Sequence, residues 1–253
     1  TALKGGLKPA AADPGVLAAW WTTLNDEALS GLIERAVAGN LNLKMAKARV
    51  RQARASRRVA VAEFFPSVDS SASGKRVYSS ADTVADRVND LYTAGFDASW
   101  EIDIFGGVRR SVEAAGADLD AAREDLRDVL VSLLGEVAMN YIDVRSYQAR
   151  IEAAEGNVAK QAESYQLTLW RQQAGVGDEL AVQEALSNLE STRSQVPDLR
   201  SGLEAALNRI AVLLGEQPGK VHKELEKPGS IPAPPIDVAV GVPADMLRRR
   251  PDV

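Results

Sequence analysis

Cysteine is absent from the 253 residues, and histidine occurs once, at His222. Disulfides, thiolate metal sites, thiol nucleophiles and zinc-type histidine pairs are thereby excluded, and no metal site is expected. The lone histidine, in a polar tail, reads as a surface residue. No apolar run approaches the length of about 18 residues that would mark a membrane-spanning helix. A transmembrane β-barrel needs no such run, because its strands are short and only half apolar. No signal peptide is visible at Thr1, so a mature or trimmed chain is expected. The charge balance is mildly acidic, net -5, and nothing global recommends nucleic acid as a partner. There is no Walker loop, dinucleotide glycine fingerprint or nucleophile elbow. The carboxylates fall beside Lys and Arg on helix faces, as in solvated coiled coil, so neither an enzyme nor a cofactor is expected. What is present is 45% hydrophobic and 26% charged residues, enough for one large or two small ordered domains.

Proline is also missing from one long stretch, and the rest of the chain is organised around it. Between Gly106 and Gly175 apolar residues recur at gaps of three and four, from Val108, Val112, Ala115 and Leu119 through Leu133, Val137, Tyr141 and Val144 to Val158, Tyr165 and Leu169. That is one helix carrying a narrow apolar stripe. At 1.5 Å per residue it would reach about 100 Å, too long for a compact domain. It predicts a coiled-coil-like strut whose stripe other helices cover. Gly116, Gly135 and Gly156 within it are either tolerated defects or points of bending and close approach.

The lead-in from Thr1 to Gly15 is rich in Ala, Gly, Pro and Lys and reads as extended. Trp20 and Trp21 follow, and Asp26 is placed to cap a helix that stops at Gly39. Asn40 opens a second helix, Leu41 to Phe65, ended by Pro66. This helix carries Lys44, Lys47, Arg49, Arg51, Arg54, Arg57 and Arg58 before its first acid, Glu63. The run is either a solvated face or the partner of the acids Glu113, Asp118, Asp120, Glu124, Asp125 and Asp128 in the first turns of the long helix.

After Pro66 the period changes to two. Tyr92, Ala94, Phe96, Ala98, Trp100 and Ile102 alternate with Thr93, Gly95, Asp97, Ser99 and Glu101, which predicts a strand with one apolar, aromatic face. Val68, Ala72 and Tyr78 mark a weaker partner strand, with a polar loop over about Ser79 to Asp90. A two-stranded hairpin with an exposed aromatic face is marginal in water. Either lipid covers that face, with Tyr78 and Tyr92 at one end and Phe64, Phe65, Trp100 and Phe105 at the other as aromatic girdles, or the hairpin is a small soluble subdomain packed on helix ends.

Gly175-Val176-Gly177-Asp178 makes a tight turn into a return helix that stops at Gly215. Pro197 inside it predicts a kink or break. Laid end to end, the return helix and the Leu41 to Phe65 helix nearly match the long helix, and are expected to cover its stripe in tandem. From Glu216 the chain turns Pro-rich and reads as a linker. It stops on a newly capped segment, as a truncated chain would. The fold class expected is mainly α with a β-hairpin, built on long antiparallel coiled-coil-like helices.

These features together resemble the TolC family of outer membrane efflux proteins, in particular its OprM-like lipoprotein branch. The carriers are Trp100-Glu101-Ile102-Asp103-Ile104-Phe105-Gly106 at the strand-to-helix junction, the glycine turn with Asp178, Leu213-Leu214-Gly215, and Gly241-Val242-Pro243 with Arg249-Arg250-Pro251-Asp252. The resemblance implies a protomer of two repeats, each giving two barrel strands and a set of helices. It implies a homotrimer that closes an outer-membrane β-barrel continued by a periplasmic α-helical tunnel. Such proteins are passive exit ducts for small molecules, in multidrug or metal export, docked by a periplasmic adaptor and an inner-membrane pump. The branch carries a lipidated N-terminal cysteine that this chain lacks. The Arg-Arg-Pro-Asp signature belongs near the opening of the second repeat, so the chain is expected to be the first repeat.

On that resemblance, residues 1–40 form an N-terminal equatorial segment, 41–65 with 107–214 part of the α-helical tunnel, 66–105 the barrel hairpin, and 215–253 an equatorial linker with the start of the second repeat. The turn Gly175, Val176, Gly177, Asp178, Glu179 and Leu180 becomes the distal tip where an adaptor could dock, although by pattern alone it is a plain interhelical turn. Tyr92, Phe96 and Trp100 become lipid-facing. The competing readings are a periplasmic adaptor, whose hairpin should be flanked by β-rich halves, and a soluble coiled-coil scaffold.

Overall fold

The computed structural model describes residues 19–79 and 87–233. After a short 3-10 turn at Trp20–Leu24 the elements are α1 (Glu27–Gly39), α2 (Leu41–Ala62), β1 (Ser67–Ser79), β2 (Arg87–Ser99), α3 (Gly107–Gln173), α4 (Glu179–Leu214) and α5 (Lys220–Leu225). They divide into two units. One holds the described residues up to Leu41 and from Leu130 onward, the other Asn42–Val129. The lead-in and the terminal Gly241 to Val253 signature lie outside the described residues.

The first unit is a helical core. Leu29, Leu32, Ile33 and Ala36 of α1 are buried together with Val137, Tyr141 and Val144 of α3, Ile210 and Leu214 of α4, and Val221 and Leu225 of α5. Each set recurs at three or four residues, as one face of a helix must. Asp26 caps α1 as expected, accepting the Leu29 amide at 2.9 Å, and its other oxygen accepts the Tyr141 hydroxyl at 2.7 Å. Burial, joined by that carboxylate, raises the Tyr141 phenol above its ordinary range, against the opposing influence of Arg145. The buried Arg145 donates to Tyr141, to Gln148 at 3.0 Å and to the Lys227 carbonyl at 2.8 Å. A buried cation held this way ties the segment after α5 to α3.

α4 runs along the later part of α3, joined by Arg200 to Glu155 at 2.7 Å and Arg209 to Asn140 at 2.6 Å. α1 meets the end of α4 at backbone contact. A Cβ on Gly39 would lie 2.1 Å from the Leu214 carbonyl oxygen. The Asn40 side chain donates to the Leu213 carbonyl at 2.9 Å.

The second unit holds α2, the hairpin and the first turns of α3. Leu43, Ala46 and Val50 of α2 and Leu119 of α3 are buried. α2 lies alongside α3, with the Arg57 Nε 3.8 Å from where a Gly116 Cβ would stand. Gly135 and Gly156 have open space around them, so these glycines act as tolerated defects rather than contact points.

Several expectations need correction. α2 ends at Ala62, not Phe65, and Glu63, Phe64 and Phe65 close it through short-range amide bonds to Ala60, Val61 and Ala62. The strands run further toward the loop than the polar composition suggested, to Ser79 and from Arg87, because backbone pairing there tolerates polar side chains. β2 stops at Ser99, so Trp100 and Ile102 lie beyond it. Pro197 does not break α4. The tail after Gly215 is not linker alone. It contains α5, where Val221 and Leu225 are buried one turn apart, and His222 is bonded there to Glu204 at 2.5 Å. Of the two readings of the basic run, the solvated face is the one seen: the acids opening α3 bond within their own helix, Glu113 to Arg110, Asp120 to Arg123 and Glu124 to Arg127. Among the described residues, none of the basic residues of α2 joins them, and all stay exposed.

Candidate functional site

The hairpin register is Val68 to Ala98, Ser70 to Phe96, Ala72 to Ala94, Gly74 to Tyr92 and Arg76 to Asp90. Directly opposed residues share a face, so this is one face, small and aromatic for most of its length. The other face sets Ser67 against Ser99, Asp69 against Asp97, Ser71 against Gly95 and Ser73 against Thr93. Two carboxylates directly opposite repel each other, which suits only a wet surface. Tyr92 is 80% and Phe96 83% exposed. The Tyr92 ring lies over Gly74, where an added Cβ would meet it at 3.3 Å. Arg76 forks onto Asp90, Nε to Oδ1 at 2.7 Å and Nη2 to Oδ2 at 2.9 Å, so charge ends the apolar band one pair beyond Tyr92. The Tyr78 side chain, a proposed girdle member, lies outside the described residues.

At the other end the Trp100 indole N–H donates to the Phe64 carbonyl at 3.1 Å. Trp100 is over half exposed, Ile102, Ile104 and Phe105 are exposed shortly after it in sequence, and Phe65, next to Phe64, is exposed as well. From Tyr92 to Trp100 is eight steps of about 3.3 Å, or about 26 Å, close to the apolar band of about 25 Å on outer-membrane barrels. Asp103 then prepares the start of α3, a role that sequence reasoning missed. Its carboxylate accepts the Arg109 amide at 3.0 Å. Modest desolvation pushes its pKa up, but the amides of Arg109, Val108, Gly107 and Gly106 outweigh this and hold it below the ordinary carboxylate value. An Asp a few residues ahead of a helix was the available signal.

The turn after α3 is a Schellman closure. Val176 N–H donates to the Arg171 carbonyl at 3.0 Å and Gly175 N–H to that of Gln172 at 2.9 Å, with Gly175 at φ +76. That left-handed conformation suits glycine. Asp178 caps α4 by accepting the Ala181 amide at 2.7 Å. Glu179 accepts from Gln172 at 3.0 Å and Gln183 at 3.1 Å, holding the two helices together. Val176 and Leu180 are exposed, and so are Leu167 and Trp170 on the last turns of α3. Trp170 was overlooked because it sits next to the stripe residue Leu169. A tryptophan off the stripe was itself the signal.

Among the described residues no group of three or more His, Asp or Glu side chains could hold a metal ion, and no helix is long and apolar enough to cross a membrane.

A family model described as "Outer membrane efflux protein" matches residues 32–216. Nodulation protein T of Rhizobium leguminosarum bv. trifolii is 32% identical over 238 residues, which is 93% of this chain and 50% of that protein. The pyoverdine export outer membrane protein OpmQ of Pseudomonas aeruginosa is 31% identical, over 92% of this chain and 51% of its own length. Among solved structures, the outer-membrane channel OprN superposes with a TM-score of 0.80 at 38% identity, covering 92% of this chain and 53% of that one. The chain thus spans 50–51% of the length of these two relatives.

Proposed function

The chain belongs to the outer membrane efflux protein family, and from that premise we propose that it is one repeat of a passive exit duct for small molecules across the outer membrane. In this reading the hairpin supplies two strands of the barrel, with Tyr92, Phe96 and Trp100 toward lipid. Helices α2, α3 and α4 are staves of a periplasmic tunnel, so most of the chain lies in the periplasm. The complete protein assembles as a homotrimer. The turn Gly175, Val176, Gly177, Asp178, Glu179 and Leu180 receives a periplasmic adaptor, which links the duct to an inner-membrane pump. With the family established, the adaptor and scaffold alternatives are set aside.

The single observation that carries this reading is the hairpin, whose aromatic face is left more than three-quarters exposed at Tyr92 and Phe96. Water does not tolerate such a band, and lipid favours it. The test is to express the reading frame that encodes this chain in a Gram-negative host, separate inner from outer membrane, and record the purified protein in planar bilayers. Outer-membrane recovery with discrete conductance steps supports the duct. Recovery in the soluble periplasmic fraction without detergent overturns it.

A further inference from the structure

In the first unit α3 and α4 together have one covered face and one bare face. α1 and α5 pack on the side of Val137, Tyr141 and Val144 of α3 and of Ile210 and Leu214 of α4, all buried. Two residues on from Val137 and from Ile210, about 200° around each helix at 100° per residue, stand Met139 and Val212. They are 68% and 69% exposed. In the wall of a duct the two faces are not equivalent. A layer of helices laid across the staves belongs outside, because inside it would block the passage. The bare face with Met139 and Val212 therefore borders the bore.

Between the two helices this face opens into a groove of about 690 Å³, within the range of about 300–1,000 Å³ that holds small organic molecules. Met139, Val212, Leu213 and Ala205 give it an apolar floor, and the unbranched thioether adapts to varied shapes. Its polar edge is held in place. Asn140 Nδ2 donates to the Glu136 carbonyl at 2.7 Å, and its Oδ1 accepts from Arg209 Nε at 2.6 Å. Arg209 Nη2 in turn lies 3.8 Å from Asp143 Oδ2. Glu136 enters no ion pair among the described residues. Two carboxylates against one guanidinium leave the edge negative, and the uncompensated charge is that of Glu136.

We infer that this groove is a contact site for cargo in the wall of the duct, and that it takes small amphipathic cations, the apolar body lying on Met139 and Val212 and the positive charge beside Glu136. An anion with the same body meets the free carboxylate and is turned away, so the groove selects by charge as well as by shape. The inference rests on the duct reading proposed above, and adds the class of cargo and the residues that meet it.

This chain contains no cysteine, so Ala205→Cys places a thiol on the groove alone. The variant, made in the full reading frame and reconstituted in lipid, is treated with N-ethylmaleimide, and labelling is read from the mass of the peptide carrying position 205. Tetrabutylammonium is expected to slow labelling about tenfold at about ten times its Kd. Tetramethylammonium, the charge without the body, and hexanesulfonate, the body with the opposite charge, should each slow it by no more than about twofold. Adding Glu136→Gln or Met139→Ser should abolish most of the protection, with the helical circular dichroism intact. In planar bilayers a bulky maleimide on Ala205→Cys should lower the conductance, whereas on Lys223→Cys, exposed on α5, it should not. The inference is overturned if hexanesulfonate protects as well as tetrabutylammonium, if protection survives Glu136→Gln, or if no reagent reaches position 205 in the folded protein. Unaltered conductance after labelling at 205 overturns it too. A reporter protein that conducts yet shows no protection sinks this site alone. One that does not conduct sinks the duct itself.

Discussion

The helical core and the hairpin use the same apolar residues to opposite ends. In the core, Leu32 and Ile210 are 0% exposed, and polar groups that reach inside, such as Arg145, are tied by hydrogen bonds. In the hairpin Phe96 is 83% exposed, and the ion pair of Arg76 with Asp90 sits at the edge of the band. The inner faces of α1, α3, α4 and α5 are buried within the unit, while Met139 and Val212 stay exposed on its other side. The hairpin is incomplete in water, since two strands offer one face and no second layer. The lesson is that apolar patterning alone does not say which solvent a segment is built for. Pairing register and exposure do.

This contrast can be broken by substitutions on either side. Ile210→Ala should cost about 2–5 kcal/mol of stability, read as a lowered denaturation midpoint of the helical signal. A loss below about 1 kcal/mol would mean the core is looser than its burial implies. Phe96→Lys should do the reverse. It should leave that midpoint unchanged, while destabilising the membrane-inserted form by about 2–4 kcal/mol, read by refolding into lipid vesicles. Equal effects in water and in lipid would erase the distinction between the regions.

Gly175→Ala should cost about 1 kcal/mol by forcing a side chain into the left-handed conformation, visible as a modest drop in helix melting temperature. Smallest is Asp103→Asn at the hairpin-to-helix junction. Because the folded carboxyl is held below its ordinary value, its contribution is fully present above the unfolded pKa of about 3.9 and is lost as pH falls through the folded one. The wild-type advantage over Asp103→Asn in helical content should therefore be present at neutral pH and vanish in acid. An advantage that instead grows in acid would contradict the amide-bonded carboxylate.

How much of this was legible in the sequence follows from how far each signal extends. The 67 residues of α3 repeat the helical period so many times that single defects such as Gly135 do not obscure it. The glycine turn and the caps Asp26 and Asp178 were legible because one residue type satisfies one backbone need. The strand alternation fixed the lipid-side candidates Tyr92 and Phe96 but overran at Trp100, since period two carries no stop signal before Gly106. The short helix α5 was hidden, because Val221 and Leu225 complete only one turn among prolines. The Arg145 network was hidden for another reason: nothing in a helical pattern marks which arginine will be buried. The basic run of α2 was read as either solvated or paired with α3 in the same chain, and periodicity alone could not separate the two.

The most direct test of the hairpin's solvent is an accessibility scan. Single cysteines at positions 91 to 98, spin-labelled in outer-membrane vesicles, are compared for contact with oxygen, which concentrates in lipid, and with a water-soluble nickel complex. The account predicts a period-two pattern, with 92, 94, 96 and 98 open to oxygen and 91, 93, 95 and 97 to nickel. Uniform access along the scan, or labels at 92 and 96 shielded from both reagents, would contradict it.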